Sequence, residues 1–291
     1  MPPPNDSVLA LAFTLPPEKA IEYLKSKGYV ISGDWWEVWK EAQARAFTVA
    51  QAMRLDILTD IREMTEKALT DGIPFQEFKK ELEPRLRAKG WWGKITVVDP
   101  EGTARRVQLG SPWRLFTIYS TNLQTAYMAG RYKGMMDVVD RRPWWEYVAV
   151  MDARTRPEHA ALHGKVFRYD DPFWNFFYPP NGWNCRCRVV SASPDELDRR
   201  GITPSSSAGL LSTEDRLVSA RSGIIRPVTV FTDPGTGRRI SPDVGWDFNP
   251  GRTAWPIGVS SEHADVVMTS LVYESLLSLA IDPLTSAGSC C

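Results

Sequence analysis

The sequence predicts an α+β protein: a mainly helical N-terminal half, then a small α+β domain stapled by a metal, then a C-terminal extension. Three observations predict it. Apolar residues recur at spacings of three and four from Phe47 to Ala68 and again from Leu115 to Tyr132, the mark of helices that bury one face. Two of the three histidines and two of the four cysteines fall between Asp152 and Val190. Beyond Ile224, a β-prone run is followed by a turn rich in Pro and Gly. The boundaries that follow are an arm over 1–14, a helical domain over 15–140, a metal-knuckle core over 141–200 and an extension over 201–291. At 291 residues, 43% of them hydrophobic, the chain is long enough for two domains with cores of their own.

Met1 to Thr14 is Pro-rich and then apolar (Val8, Leu9, Leu11, Phe13), so it reads as an extended arm that docks on a surface, its own or a partner's. Pro16-Pro17-Glu18 opens a short helix through Leu24, and Trp35, Trp36 and Trp39 make a Trp-rich segment after it. Ala50, Met53, Ile57, Ile61, Met64 and Ala68 predict one long amphipathic helix from Phe47 that ends before Gly72 and Pro74. Phe75, Phe78, Leu82 and Leu86 predict a second helix, kinked at Pro84, with Gly90 placed as a C-cap glycine. Trp91 to Val107 reads as irregular or strand-like, with Thr96 to Val98 its β-prone part.

Ser111-Pro112 is an N-cap and first-turn pair. The helix it opens carries Leu115, Ile118, Asn122, Ala126, Ala129 and Tyr132 on one stripe, and the small Ala126, Ala129 and Gly130 allow another helix to come close. Trp145 to Val150 is a predicted strand, as is the pair Val189-Val190. A short helix capped by Ser193 follows, with Asp195 and Glu196 in its first turn, where the dipole favours them. Thr203 to Ser207 reads as a linker. Ile224 to Thr232 and the turn Asp233 to Gly237 predict a hairpin toward Ile240, and Glu262 to Ile281 predicts a final amphipathic helix before a Ser/Gly/Cys tail.

The chemistry concentrates in the stretch Asp152 to Val190. His159 and His163 are four apart, so a helical turn projects both imidazoles from one face. Cys185 and Cys187 are two apart, so an extended segment points both thiols one way. Together His159, His163, Cys185 and Cys187 make a His2Cys2 set that suits a tetrahedral zinc ion with no position left for water, which is a structural site. The histidine pair lacks the intervening Glu of a zinc protease, since Ala160 stands at that place. Between the pairs runs a loop of 21 residues carrying Phe173, Trp174, Phe176, Phe177, Tyr178 and Trp183. Such aromatic density predicts a small core closed by the metal.

Lys plus Arg equals Asp plus Glu at 35 each, so no global field draws the chain to nucleic acid or an anionic membrane. The cysteines form one Cys-x-Cys and a terminal Cys290-Cys291 pair, not a disulfide framework, which fits a reducing compartment. No apolar run is long enough for a membrane span, and the first residues lack the basic start of a signal peptide. An enzyme reading exists: a metal-dependent nuclease or toxin-like enzyme using His159 or His163 with Asp152, Asn181 or Asn184, and Arg154, Arg156, Arg186 and Arg188 for phosphate. It is disfavoured, because a closed four-ligand zinc cannot activate water.

Several blocks carry a resemblance. They are Leu15 to Ala50, the GWWG of Gly90 to Gly93, Arg114 to Arg131, DARTRPEHAALHG, PPNGWNCRC, and the GWDFNPG of Gly245 to Gly251. In this order they resemble the phage Mu protein F-like head morphogenesis proteins, also called minor head proteins of the SPP1 type, over roughly residues 15 to 251. Many relatives read T-C-P-x-C where this chain has Thr155 to His159, and carry a His shortly before Cys-Arg-Cys where this chain has Asn184. The resemblance implies a non-enzymatic virion protein of the head interior or portal vicinity, assembled in the host cytoplasm. Its implied partners are the portal protein and other head proteins, with packaged DNA contacted weakly and no membrane partner.

Overall fold

Helix α1 (Glu18–Ser26) ends against a cation: the guanidinium of Arg62 donates to the carbonyls of Lys25 (2.9 Å) and Lys27 (2.6 Å). That supplies partners for C-terminal carbonyls the helix itself leaves open. The computed structural model describes residues 18–98, 102–220 and 222–256. The expected arm Met1 to Thr14 and the expected helix Glu262 to Ile281, with His263, Cys290 and Cys291, lie outside them.

After α1 the chain forms β1 (Gly28–Tyr29), the Trp-rich turns, α2 (Glu41–Arg45) and β2 (Ala46–Phe47), which pairs in parallel with β1. Phe47 therefore does not start the long helix, as its spacing suggests. It is buried in a strand, and Gln51 takes a left-handed φ of 65° while its N–H donates to the Ser32 carbonyl (2.8 Å). Helix α3 (Leu55–Asp71) begins only after that turn, and Met53 stays exposed. The apolar spacing runs across the boundary without marking it, since Ala50 is only half-buried in the loop before α3.

Helix α4 (Phe75–Ala88) contains Pro84 and continues through it, with Gly90 just beyond its end at φ 76°. The segment after it is a hairpin, β3 (Lys94–Val98) against β4 (Ala104–Gln108), registered from Lys94 opposite Gln108 to Val98 opposite Ala104. Helix α5 (Pro112–Met136) starts as expected, with Ser111 Oγ accepting from the Arg114 N–H at 3.2 Å. Leu115, Ile118, Ala126, Ala129 and Tyr132 are buried along it. At Gly130 a Cβ would stand 2.8 Å from the Ala20 backbone nitrogen, so only glycine lets α1 and α5 approach this closely.

Strand β5 (Trp144–Val148) is central to a three-stranded antiparallel sheet, with β6 (Val166–Arg168) on one side and β7 (Arg188–Ala192) on the other. Between them lie α6 (Pro157–Leu162) and the one-turn α7 (Phe173–Phe176). One face of the sheet presents Trp145, Tyr147, Phe167 and Val189 to a core shared with Met128, Tyr132 and Met135 of α5. The aromatic loop packs there: Phe173, Trp174, Phe177 and Tyr178 are buried, and the Tyr178 hydroxyl donates to the Met128 carbonyl (3.0 Å). The opposite face packs Val166 and Ala192 on Leu197 of α8 (Pro194–Arg200), whose Ser193 and Glu196 form a reciprocal capping box.

The expected linker is tied in. Ser205 bridges to Phe167, and the Ser207 N–H donates to Asp171 at 3.0 Å. Strand β8 (Leu211–Ser219) was not expected; it pairs with β9 (Ile224–Thr232), which pairs in turn with the two-residue β10 (Arg239–Ile240). Phe231 and Ile240 reach the same core as Trp145. The chain from 18 to the end of α9 (Pro250–Ala254) clusters as one unit. Among the described residues no helix is long and apolar enough to cross a membrane.

Candidate metal centre

Strand β5 delivers the chain to a turn in which the Asp152 carboxylate accepts from the Arg154 N–H (3.0 Å) and the Thr155 hydroxyl (3.2 Å). Pro157 at the first turn then fixes the start of α6, and the helix turns His159 inward, where it is 5% exposed. On the opposing segment, Cys185 and Cys187 flank Arg186 and are buried, reduced and side by side. Helix α5 holds this segment from behind. Gln124 Nε2 donates to the Cys187 carbonyl (2.7 Å), and the Ser120 hydroxyl donates to Asn184 Oδ1 (2.7 Å), where Asn184 itself has a φ of 57°.

The three side chains converge on one point. His159 Nδ1 lies 3.7 Å from Cys185 Sγ and 3.5 Å from Cys187 Sγ, and the three donor atoms all fall within 4.8 Å of one another. A tetrahedral zinc with bonds of about 2.3 Å to sulfur and about 2.0–2.1 Å to nitrogen places those atoms about 3.6 Å apart. The donor set and its spacing thus fit that ion.

Electrostatics in the cluster favour anionic sulfur. Burial opposes the Cys185 thiolate, but hydrogen bonds from Cys187 and His159 outweigh it and hold the Cys185 thiol well below its ordinary pKa. Cys187, bonded to that thiolate and itself buried, is pushed far up. The pair thus shares one proton. Burial lowers His159, yet the Cys185 sulfur beside it raises it above the usual imidazole value on balance.

His163 is not brought to the cluster. It caps the end of α6 outside the helical conformation (φ −56°, ψ 130°), is exposed, and its Nδ1 accepts from the Ala149 N–H at 3.2 Å. The four-residue spacing places two side chains on one face only while the helix lasts, and α6 ends at Leu162. Asp152, Asn181 and three of the four arginines named for phosphate chemistry are otherwise engaged. Arg186 grips both Asp152 oxygens (2.6 and 2.7 Å), with Arg154 at 3.6 Å. The Arg186 guanidinium holds the Asp152 carboxyl well below the ordinary carboxylate range. Asn181 is buried and accepts from the Tyr147 hydroxyl (2.9 Å).

Asp243 is a neighbour that spacing alone did not reveal. Its N–H donates to the Asn181 carbonyl (3.0 Å), its carboxylate pairs with Arg156 (3.3 Å), and burial raises its pKa. Beyond it, the GWDFNPG block is a clasp. The buried Asp247 accepts from Lys40 Nζ (2.9 Å) and the Thr229 N–H (3.0 Å), while Asn249 Nδ2 donates to the Trp174 carbonyl (3.0 Å). Trp246 packs edge-on to Trp183 of the metal loop, with ring centroids 5.0 Å apart.

Residues 59–190 match the family model described as Phage Mu protein F like protein. Over 249 residues, 85% of this chain, the sequence is 50% identical to the putative capsid assembly protein F of Escherichia phage Mu. The chain is thus similar to Mu protein F over most of its length. It is also 44% identical, over 235 residues and 79% of its length, to the Mu-like prophage FluMu F protein of Haemophilus influenzae. It spans 57% and 55% of the lengths of those two relatives. No solved structure matches it. The matched segment runs from within α3 through α6 and the aromatic loop, and takes in His159, Cys185 and Cys187.

Proposed function

We propose that this protein is a structural component of phage head assembly, working by contact with other head proteins rather than by catalysis. The observation that carries this reading is the 50% identity over 85% of the chain with a protein named for capsid assembly. The site supports it, because Asp152, Arg186 and Arg154 satisfy one another and Arg156 pairs with Asp243, which commits three of the four arginines named for phosphate to ion pairs of their own. The finer reading places the protein in the head interior or portal vicinity, with the portal protein as a partner and packaged DNA bound weakly. Co-purification of the tagged chain with portal and procapsids tests it, with a second chain lacking residues 1–14 testing the apolar arm. Absence from purified heads sinks the assembly role, and undiminished incorporation of the truncated chain discards the arm.

Within this reading a zinc ion staples the domain through His159, Cys185 and Cys187, replacing the shared proton by a stronger cross-link between α6 and the strand entering β7. Metal binding adds to folding free energy where the ligands come together only on folding. Cys185→Ser should lose the metal and lower the melting temperature. Wild-type protein free of zinc after gentle purification, with a melting temperature indifferent to chelator, refutes the staple.

A further inference from the structure

We infer that the fourth zinc ligand is the carboxylate of Asp243, which closes the site against water. This rests on the zinc reading above. One imidazole and two thiolates leave a tetrahedral ion one ligand short of a structural site. The acids and histidine nearby are committed elsewhere. His163 is exposed and takes the Ala149 N–H, and Asp152 is held through both oxygens by Arg186.

Asp243 is placed differently. Its backbone is tied to Asn181, four residues before Cys185, by the N–H bond to the Asn181 carbonyl at 3.0 Å. Its Oδ2 lies against Gly182, so close that a Cβ there would overlap it. The Gly182 carbonyl in turn accepts from the Cys185 N–H at 3.2 Å, which brings the carboxylate beside the Cys185 turn, although it stands outside the group of mutually adjacent donors. Its carboxylate is paired with Arg156 at 3.3 Å. That pair is more than a third exposed on both sides, and such pairs contribute about 0–1 kcal/mol, a small barrier beside a metal–oxygen bond.

Charge agrees with the assignment. A zinc ion with two thiolates is neutral, and a carboxylate makes the centre singly negative. Arg156 remains beside it through its bond to the Trp183 carbonyl (2.9 Å) and offsets that charge. Gly182 and Asp243, in blocks some 60 residues apart, then belong to one site: the glycine makes the space that the carboxylate crosses. A closed site cannot activate water, so the inference also explains why a His/Cys cluster sits in a protein of structural role.

The test uses the full chain with cobalt(II) in place of zinc, whose visible bands report coordination and whose near-ultraviolet bands report bound thiolate. Zinc affinity is measured by competition with a chromogenic chelator. Asp243→Ala should weaken zinc by at least the roughly 10–100-fold that losing an outer-shell partner costs, and should change the cobalt visible spectrum. Asp243→Cys should keep tight binding and add thiolate-to-cobalt absorption. Should Asp243→Ala misfold, Asp243→Cys still decides, because a third thiolate signal arises only at a ligand position. Unchanged affinity and spectrum in Asp243→Ala, or no added thiolate signal in Asp243→Cys, assigns the fourth position to water and overturns the inference. Failure of the wild type to bind either metal instead overturns the zinc reading itself.

Discussion

Replacing Phe231 by Ala should unfold the C-terminal hairpin and the domain built on β5 together rather than loosen the hairpin alone. Phe231 stands in β9 but is 1% exposed, because its ring meets Phe167 at 5.8 Å, Phe173 at 5.2 Å and Phe177 at 6.1 Å, all edge-on or nearly so. These partners are the first strand after α6 and the start of the aromatic loop. Truncating a buried Phe costs about 3–5 kcal/mol, and the three edge-to-face contacts, each worth about 0.5–1.5 kcal/mol when isolated, put this site at the upper part of that range. For a unit of this size that corresponds to a fall in melting temperature of roughly 8–16 °C. Urea unfolding followed by both tryptophan fluorescence and far-ultraviolet dichroism measures it, and the two transitions should stay coincident. A loss below about 1.5 kcal/mol, or a variant in which only strand signal melts early, refutes the claim that β9 belongs to the Trp145 core.

Two further outcomes follow from buried groups and close contacts. Lys27 is buried over the Tyr23 ring, and burial, with Arg62 nearby, pushes its ammonium down to about 7. The unfolded chain binds that proton more tightly between about pH 7 and 10.5, so this group makes stability rise with pH across that window, by about 2 kcal/mol from pH 7 to 9. Lys27→Met should remove that part of the slope, and equal pH dependence of urea midpoints in wild type and variant sinks the idea. At Gly251 an added Cβ would overlap the Tyr132 side chain, which is 2% exposed and cannot swing away. Gly251→Ala should therefore cost at least the roughly 1–3 kcal/mol of overpacking, and an unchanged melting temperature would show that the clasp yields.

What the sequence made legible was local. Ser111 and Ser193 announce their helices because a hydroxyl three residues before a free N–H is a short-range arrangement. Gly130 was readable as a helix contact for a similar reason: small residues on one stripe imply a near neighbour, although not that the neighbour is α1. Phe47 misled because burial by a strand and a loop can continue a helical spacing for several residues. Strand β8 was missed because its outer residues are exposed on both faces, so Leu211 to Ser219 shows no two-residue alternation of polarity. Cys185 and Cys187 lie side by side as their spacing suggested, and His163 stands apart from them because one residue decides whether α6 still has a face to share.

Asp243 shows the limit most clearly. Its role depends on Arg156, Gly182 and Asn181, residues brought to it only when α6, the aromatic loop and the turn after β10 pack around Trp145. No local pattern encodes that meeting. The same packing explains why the site sits where it does. Cys185 and Cys187 are members of the Trp145 core as well as of the cluster, so a metal held there would link the edge of β7 to α6 across the end of an apolar interior. Removing it leaves two thiols and an imidazole sharing protons inside that interior, whereas removing Phe231 opens the other end of the same interior. If the core is one unit, the two losses should be less than additive in a double variant, because each already unfolds part of what the other would.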